Sequence, residues 1–394
     1  MKKKFTLTPV IIFLTIHSFL SCKSKKGDII PVEDKTVYTT TYRGDVYSVN
    51  AKTGQHNWDY STGNYMVSSP IVAGERLYFG DYDGILYALN ANTGQEKWSS
   101  DLGASIVSSP TVSNNTIYVG TSGIGGGFHA VNATTGKTIW TYPAISSYST
   151  PCVSEGLVYF VSFDNKLYAL DATSGELKWK YTSENRLKIS PIVNRGILCV
   201  IDGYNLTALD AATGQNKWSY KCNFSNWIHS GTPVFKENSV FFLDGERMLT
   251  ALDLNTGTKK WDHDFKDYIN GTPVVLGGKI YVYGKIYLRT DSKSSDGTIS
   301  SNDQVYRSKL YALDIETGIQ TWAYNSKNEF YNRSYMVLPM PSAGTNRIYF
   351  NSQDGRIYAV DAETGEENWQ FGTGSYIWST PCILDDEGNV SRGL

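Results

Sequence analysis

Apolar and polar residues alternate in short runs along nearly the whole chain, and turn-forming residues join the runs. In residues 86–98 the run Leu86-Tyr87-Ala88-Leu89 leads into Asn90-Ala91-Asn92-Thr93-Gly94, and a second short run ends at Trp98. Asn or Asp can bond its side chain to the backbone two residues on, and Gly supplies the positive φ of a tight turn. The pattern therefore predicts a β-hairpin.

The same hairpin pattern occurs eight times, and each copy ends in a tryptophan. These residues are Trp58, Trp98, Trp140, Trp179, Trp218, Trp261, Trp322 and Trp369. A side chain that recurs at one turn-anchored position in every copy is better explained by packing than by ligand binding. We therefore predict that the eight tryptophans have a structural docking role.

A second constant element precedes most of the hairpins. It consists of a small residue, a proline and a strand whose aromatic or apolar residue follows the proline by eight positions, as from Pro70 to Tyr78. Each unit of about 40 residues thus contains four short strands, which is typical of a β-propeller. Eight units predict an all-β, eight-bladed propeller of four-stranded antiparallel blades. A Trp-Asp repeat is excluded, because only two of the eight tryptophans, Trp58 and Trp261, are followed by Asp.

The first and last units are incomplete in complementary ways. The first begins at about Asp34 and lacks the proline strand, whereas residues 379–384 form such a strand with no hairpin after it. We predict that this C-terminal strand completes the N-terminal blade and closes the ring over residues 34–394. Closure would remove exposed sheet edges.

The N-terminal residues predict export and lipid attachment. Three lysines precede an apolar run in residues 1–20, as in a signal peptide. The run ends in Phe19-Leu20-Ser21-Cys22, which resembles a bacterial lipobox and implies a signal peptide of residues 1–21 and lipidation of Cys22. A plain secretory signal is the alternative. Residues 22–33 predict a flexible tether, and Lys23 after the lipobox favours, by resemblance, the outer membrane with the domain facing the periplasm.

Composition narrows the classes of function. The chain has 394 residues, of which 41% are hydrophobic and 13% aromatic, and this suits one closed domain built from short strands. The net charge of −2 gives no sign of the positive charge that nucleic-acid-binding proteins normally carry.

One unit carries an insertion. Tyr281 and Leu310 are 29 positions apart, where the equivalent Tyr78 and Leu86 are 8 apart. The insertion covers about 284–309, and its centre at 291–303 is rich in Ser, Asp and Asn, which predicts a mobile hairpin or loop. A functional loop and a tolerated surface excursion remain open.

No group of residues predicts catalysis or metal binding. Five aspartates at first resemble a ring of carboxylates, but each begins a hairpin turn, and Asn takes the same position in other units. They are Asp171, Asp210, Asp253, Asp314 and Asp361. The glycines of residues 123–127 precede no helix, so a phosphate loop is not expected, and the five histidines lack ligand spacing.

Four cysteines follow Cys22. Cys152 and Cys382 occupy a core-strand position and are read as small buried hydrophobes, although disulfides remain open in an exported protein. The repeat pattern gives no structural interpretation for Cys199 or Cys222.

The variable segments before each proline are the candidate binding surface. In a propeller these segments and the turns between the second and third strands share one face, around the mouth of the channel. Aromatic and cationic side chains gathered there form a possible binding surface, with plain solvated loops as the alternative. The predicted binding residues are Tyr148, Arg186, Lys188, His229, Asn270, Tyr376 and Trp378.

The hairpin from Tyr311-Ala312-Leu313-Asp314 through Thr317-Gly318 to Trp322 resembles the pyrroloquinoline-quinone (PQQ)-like propeller repeat, and all eight units match. Two classes of protein share this repeat. One contains scaffold lipoproteins of the outer-membrane β-barrel assembly machinery. The other contains quinoprotein dehydrogenases, which oxidise alcohols or sugars with PQQ and Ca²⁺.

The resemblance to the scaffold class implies a non-catalytic, monomeric and membrane-tethered protein that binds a protein partner of the cell envelope without a cofactor. The dehydrogenases have a bridged pair of adjacent cysteines, and no two cysteines here are adjacent. No catalytic Asp can be transferred to this sequence either. A PQQ- and calcium-dependent dehydrogenase and a carbohydrate-binding envelope lipoprotein remain the alternatives.

Overall fold

The computed structural model describes residues 34–144, 149–185, 187, 189–223, 231–269, 271–291, 303–331, 340–385 and 390–392. Within these ranges 35 strands form eight separate antiparallel sheets. The predicted all-β, eight-bladed propeller is thereby confirmed. The same ranges contain no helix whose length and apolar character would suit a membrane span.

The strands of each sheet follow one another in the chain, except in blade 1. Blade 1 consists of β1 (Asp34–Thr40), β2 (Asp45–Asn50), β3 (His56–Ser61), β34 (Cys382–Asp385) and β35 (Val390–Arg392). Blade 2 consists of β4 (Ile71–Ala73), β5 (Arg76–Gly80), β6 (Ile85–Asn90) and β7 (Glu96–Asp101). Blade 3 consists of β8 (Ser105–Ile106), β9 (Thr111–Ser113), β10 (Thr116–Ser122), β11 (Phe128–Asn132) and β12 (Thr138–Tyr142). Blade 4 consists of β13 (Cys152–Ser154), β14 (Leu157–Val161), β15 (Lys166–Asp171) and β16 (Leu177–Thr182).

The second half of the ring repeats the plan. Blade 5 consists of β17 (Ile192–Asn194), β18 (Ile197–Asp202), β19 (Asn205–Asp210) and β20 (Asn216–Lys221). Blade 6 consists of β21 (Val234–Lys236), β22 (Ser239–Leu243), β23 (Met248–Asp253) and β24 (Lys259–Asp264). Blade 7 consists of β25 (Tyr268–Ile269), β26 (Val274–Leu276), β27 (Lys279–Asp291), β28 (Asp303–Asp314) and β29 (Gln320–Tyr331). Blade 8 consists of β30 (Pro341–Ala343), β31 (Arg347–Ser352), β32 (Arg356–Asp361) and β33 (Glu367–Gly372).

Three blades contain a fifth strand, which the repeat pattern did not predict. In blades 3 and 7 the incoming connection runs beside the second strand for two residues and forms β8 and β25. In blade 1 the additional strand is β35, which pairs with β34.

Blade 1 joins the two ends of the described chain. β1 pairs with β34, so that Val37 lies opposite Ile383 and Tyr38 lies opposite Cys382. The core consists of eight apolar clusters between neighbouring blades, and one of them packs Val37 of blade 1 against Tyr349 of blade 8. The last blade therefore packs on the first as every other blade packs on its neighbour.

Each repeat tryptophan lies on the next blade. A Cβ added to the turn glycine of the following blade would be within 3 Å of the indole in all eight cases, and Trp369 of blade 8 meets Gly54 of blade 1 in this way. Seven indole N–H groups also donate to a carbonyl of that blade, as Trp179 does to Ala211 at 3.0 Å. Trp322 Nε1 has no acceptor within the described part of the chain.

The two faces of the ring differ in what they carry. The turn between the second and third strands of a blade hydrogen-bonds to the neighbouring blade-to-blade connections, as Tyr42 N does to Tyr376 O at 3.0 Å. We call the side with these turns and connections the connection face. The opposite side carries the turns between strands one and two and between strands three and four, and we call it the turn face.

The insertion is part of an enlarged blade 7. β27 and β28 continue as paired strands as far as Asp291 and Asp303, and residues 292–302 lie outside the described ranges. β29 is also extended, to Tyr331, which is paired with Val305. The sequence predicted the hairpin or loop but not the third long strand. Arg289 and Arg307 both form ion pairs with Glu329 at 2.9 Å and lower the pKa of its carboxyl.

The four described cysteines are free. Cys199, Cys222 and Cys382 are buried, and Cys152 is half-buried. Cys199 stands at the second-strand position that Tyr78 holds in blade 2, which accounts for its burial.

Candidate binding site on the connection face

Three aromatic rings pack together where blade 8 is followed by blade 1, and a fourth aromatic residue is joined to them through its backbone. Tyr42 stacks on Tyr65 with ring centroids 4.7 Å apart, and its other neighbour is Trp378, at 4.1 Å. The fourth residue is Tyr376, whose carbonyl accepts the Tyr42 N–H. We call these four residues the seam cluster. They come from three different chain segments, so the ring must assemble before the cluster exists.

Backbone contacts fix the position of Tyr42 between two connections. Its N–H donates to Tyr376, and its carbonyl accepts the N–H of Met66 at 3.1 Å. The turn that carries Tyr42 is tight because Gly44 has a φ of 95° and a Cβ there would lie 2.2 Å from the carbonyl oxygen of Asn64. Only glycine fits this turn, and the rest of the cluster depends on it.

The cluster presents its aromatic surface to solvent. Tyr65 is 57% exposed and Tyr376 is 42% exposed, while Tyr42 and Trp378 are half-buried, and Tyr42 packs against Tyr65. Exposed aromatic groups on a rigid support are characteristic of interaction surfaces, because they contribute large contact areas at a low cost in conformational entropy.

Blade 2 continues the surface. Tyr82 is the equivalent of Tyr42, and its N–H donates to the carbonyl of Tyr65 at 2.9 Å. Asp81 beside it is fully buried and accepts hydrogen bonds from Tyr87 at 3.0 Å and Asn64 at 3.1 Å. This buried carboxylate ties the turn to the preceding connection. The same turn carries exposed Phe163 in blade 4 and exposed Tyr204 in blade 5.

The structure describes two of the seven predicted binding residues, Tyr376 and Trp378, and both lie on the connection that enters β34. The other five lie outside the described residues: Tyr148, Arg186, Lys188, His229 and Asn270. Sequence reasoning missed Tyr42 and Tyr82, because it considered the segments before the prolines. A signal was present, since each follows the second-strand tyrosine by four positions.

Blade 7 places a lysine at the equivalent position, four residues after Tyr281, where its second strand continues instead of turning. Lys285 is 5% exposed, and burial lowers the pKa of its ammonium to about 8. Its Nζ lies 5.9 Å from the ring centre of Tyr268 and 5.5 Å from that of Tyr306. Two aromatic faces thus partly replace the water that the cation loses.

The described lining of the axial channel does not suit PQQ and calcium. It is a cavity of about 770 Å³ lined by the innermost strands of blades 2 to 8. The described lining side chains are mostly Val, Ile and Pro, with hydroxyl or amide groups at Thr111, Thr150, Ser190 and Asn194, and none of these described side chains is charged. Ca²⁺ takes six to eight oxygen ligands that normally include carboxylates, and PQQ is itself a tricarboxylate. Across the described ranges no three His, Cys, Asp or Glu side chains form a set that would hold a metal ion.

Comparison with solved structures agrees with the fold. The crystal structure of BamB from Moraxella catarrhalis is similar, with a TM-score of 0.58 and 18% identity over 84% of this chain and 91% of that one. A quinohemoprotein alcohol dehydrogenase from Comamonas testosteroni gives a TM-score of 0.61 and 15% identity over 81% of this chain and 70% of that one. The computationally designed Ika8 protein gives a TM-score of 0.62 and 14% identity over 83% of this chain and 95% of that one. At these identities the likeness establishes the fold alone.

Comparison with proteins of curated function gave no match. A family model described as outer membrane protein assembly factor BamB matches residues 15–150, 129–226 and 223–375, which together span most of the chain. The chain therefore belongs to the BamB-like family of PQQ-like repeat propellers.

Proposed function

We propose that this protein is a non-catalytic scaffold of the cell envelope that binds a protein partner through the seam cluster. The family model carries the words outer membrane protein assembly factor, which favours an envelope role. The observation that carries the proposal is the exposed aromatic surface of Tyr65 and Tyr376 on a rigid support. The partner would bury these rings, and the half-buried Tyr42, which packs between Tyr65 and Trp378, would keep Tyr65 in one orientation.

The chain enters the propeller on the face opposite the proposed partner site. Asp34 begins β1 at the turn face, where its carboxylate accepts hydrogen bonds from Thr345 N at 2.7 Å and Thr345 Oγ1 at 3.0 Å. A tether of residues 22–33 with a lipid on Cys22 would thus join the propeller opposite the connection face. The seam cluster would remain available to a partner that approaches from the periplasm.

Site-specific photocrosslinking in the native envelope tests this proposal. A photoreactive amino acid replaces Tyr65 in one strain and Ile319 in another. Ile319 is the matched control, because it is 66% exposed and belongs to a turn of the turn face. We expect one protein to be crosslinked from position 65 and not from position 319.

A second variant shows whether the contact depends on the cluster. Trp378→Ala removes the ring that supports Tyr42, and it should lower the yield of that crosslink at least fivefold at equal protein abundance. Equal crosslinking from both faces, or a yield that does not respond to Trp378→Ala, would contradict a partner site at the seam.

Stacked aromatic rings also favour a second candidate, a carbohydrate site, because sugar rings pack against aromatic faces. Glycan array binding by the purified propeller separates the two candidates. Retention of a glycan that is lost in Trp378→Ala would support the carbohydrate function. Titration with PQQ and Ca²⁺, followed by dye reduction with alcohols and sugars, tests the dehydrogenase function on the same sample.

A further inference from the structure

The axial channel already contains a strand. β35 pairs antiparallel with β34, with Cys382 opposite Arg392, Ile383 opposite Ser391 and Leu384 opposite Val390. β34 is the first strand of blade 1, so β35 lies on the channel side of that blade. Its backbone also approaches the innermost strands β30 and β4 of the two neighbouring blades.

The other blades offer the same kind of edge to the channel. Their innermost strands are each three residues long and pair with another strand on one side only, within the described ranges. They are β4, β9, β13, β17, β21, β26 and β30. A strand edge of this kind presents backbone N–H and C=O groups in a row, and a second extended backbone satisfies them.

The channel beside β35 has room for an incoming strand that would exchange with it. Among the described side chains, the cavity of about 770 Å³ is lined by residues of blades 2 to 8 and by none of blade 1, where β35 lies. Its volume lies within the range of about 300–1,000 Å³ that is usual for ligand pockets. Val112, Val153 and Val193 are among its walls, so small or apolar side chains suit it best.

We propose that the axial channel is a binding site for an extended peptide segment that pairs with an innermost strand, and that β35 occupies this site in cis. A segment of another polypeptide would bind as a strand in place of β35. The recognition is by main-chain hydrogen bonds, with apolar contacts limiting side-chain size. This site is independent of the seam cluster and of the partner proposed there.

The register between β34 and β35 supplies a direct test. A variant shortened after Asp385 lacks β35, and a synthetic peptide of residues 386–394 is added in trans. The peptide carries Arg392→Cys as an activated mixed disulfide. Because directly opposed residues of antiparallel strands have Cα atoms about 4.5–5.5 Å apart, a docked peptide places this sulfur within reach of Cys382.

The control peptide carries Ser391→Cys, which lies opposite Ile383 instead. We expect the first peptide to modify Cys382 of the shortened chain at least tenfold faster than the control peptide does. The full chain should react at least tenfold more slowly, because its own β35 fills the site. Peptide mapping by mass spectrometry identifies the modified cysteine, and the thermal unfolding transition verifies that the shortened chain is folded.

If the shortened chain does not fold, Ser391→Pro in the full chain replaces it, because proline weakens strand pairing while all residues are kept. Equal rates for the two peptides, or no reaction at Cys382 in a folded variant, would overturn the proposal. Photocrosslinking at Tyr65 does not involve Cys382, so the failure of one proposal can be distinguished from the failure of the other.

Discussion

At the scale of single residues, the ring is held by pairs of donors that share one acceptor. The carbonyl of Ala211 accepts a hydrogen bond from Tyr159 Oη and another from Trp179 Nε1, both at 3.0 Å. All three residues belong to the repeat, but Ala211 lies in the following unit. Sequence periodicity therefore predicts that Trp179 packs, and it does not reveal the acceptor in the next blade.

The unpaired indole of Trp322 provides a comparison within the same molecule. Trp179→Phe keeps a ring against Gly214 but removes the hydrogen bond to Ala211, so it should lower the free energy of unfolding by about 1 kcal/mol more than Trp322→Phe does. Trp322→Phe removes a buried N–H that has no acceptor in the described residues. Urea unfolding of both variants measures the difference, and equal losses would show that the hydrogen bond contributes nothing.

His129 makes stability depend on pH. It is 6% exposed, its ring nitrogens lie 3.0 Å from Thr121 Oγ1 and 3.1 Å from Thr141 Oγ1, and burial lowers its pKa to about 4. Between pH 6.5 and 4 the unfolded chain binds a proton that the folded chain does not, so stability falls as the pH falls through this window. The loss should be on the order of 3 kcal/mol and should end below about pH 4.

His129→Gln should remove this part of the pH dependence of unfolding. His56→Gln is the control, because the side chain of His56 is 40% exposed. A pH profile that is the same in His129→Gln and in the unmodified chain would contradict the assignment.

At the scale of strands and turns, the tight turn of each hairpin serves the neighbouring blade as well as its own. Gly94 has a φ of 72°, and a Cβ there would lie 2.7 Å from Trp58 of the preceding blade. The Thr-Gly turn signal predicts the conformation of this residue but not the indole that covers it. Glycine is therefore needed at position 94 for two reasons: it adopts the left-handed backbone conformation, and it leaves space for the indole ring.

Gly74 separates these two reasons, because it has a φ of 59° with no atom within 4 Å of the added Cβ. Both Gly94→Ala and Gly74→Ala force a left-handed conformation on alanine, at a cost of about 1–2 kcal/mol. Gly94→Ala should cost at least about 1 kcal/mol more, because the methyl group overlaps Trp58. Thermal unfolding of the two variants gives the comparison, and equal destabilisation would exclude a blade-to-blade contact at this turn.

In blade 7 the sequence predicted an insertion but not the length of the strands that form it. The 29-residue spacing between Tyr281 and Leu310 indicated an insertion. Serine, aspartate and asparagine at its centre pointed to a turn, but they do not fix how far the paired arms extend. β29 lengthens to Tyr331 because the extended β28 offers it a pairing edge, and such a partner is visible only once the sheet is assembled.

At the scale of the whole molecule, the repeat predicts the number of blades, whereas the site arises from what the repeats do not share. Four-strand units of about 40 residues were enough to derive an eight-bladed ring. The sequence predicted Tyr376 and Trp378 as binding residues but not their contact with Tyr42, because Tyr42 comes from a turn and the other two come from a connection more than 300 residues later. Their contact depends on the ring bringing blade 8 beside blade 1.

The meeting of the two ends of the chain in blade 1 is the central claim, since both the seam cluster and the channel strand depend on it. Val37 and Ile383 are directly opposed in β1 and β34. Cysteines at directly opposed positions fall within the Cα separations that disulfides tolerate. The control pair is Val37→Cys with Val193→Cys, because Val193 belongs to blade 5.

The most direct measurement is therefore disulfide formation in the Val37→Cys, Ile383→Cys variant under mild oxidation, mapped by mass spectrometry. We expect a near-complete disulfide between the two introduced cysteines in the folded protein, with a higher unfolding temperature than in the reduced form, and no bond in the control pair. A folded variant that forms no such bond, or that forms it no faster than the control pair does, would contradict the closed ring.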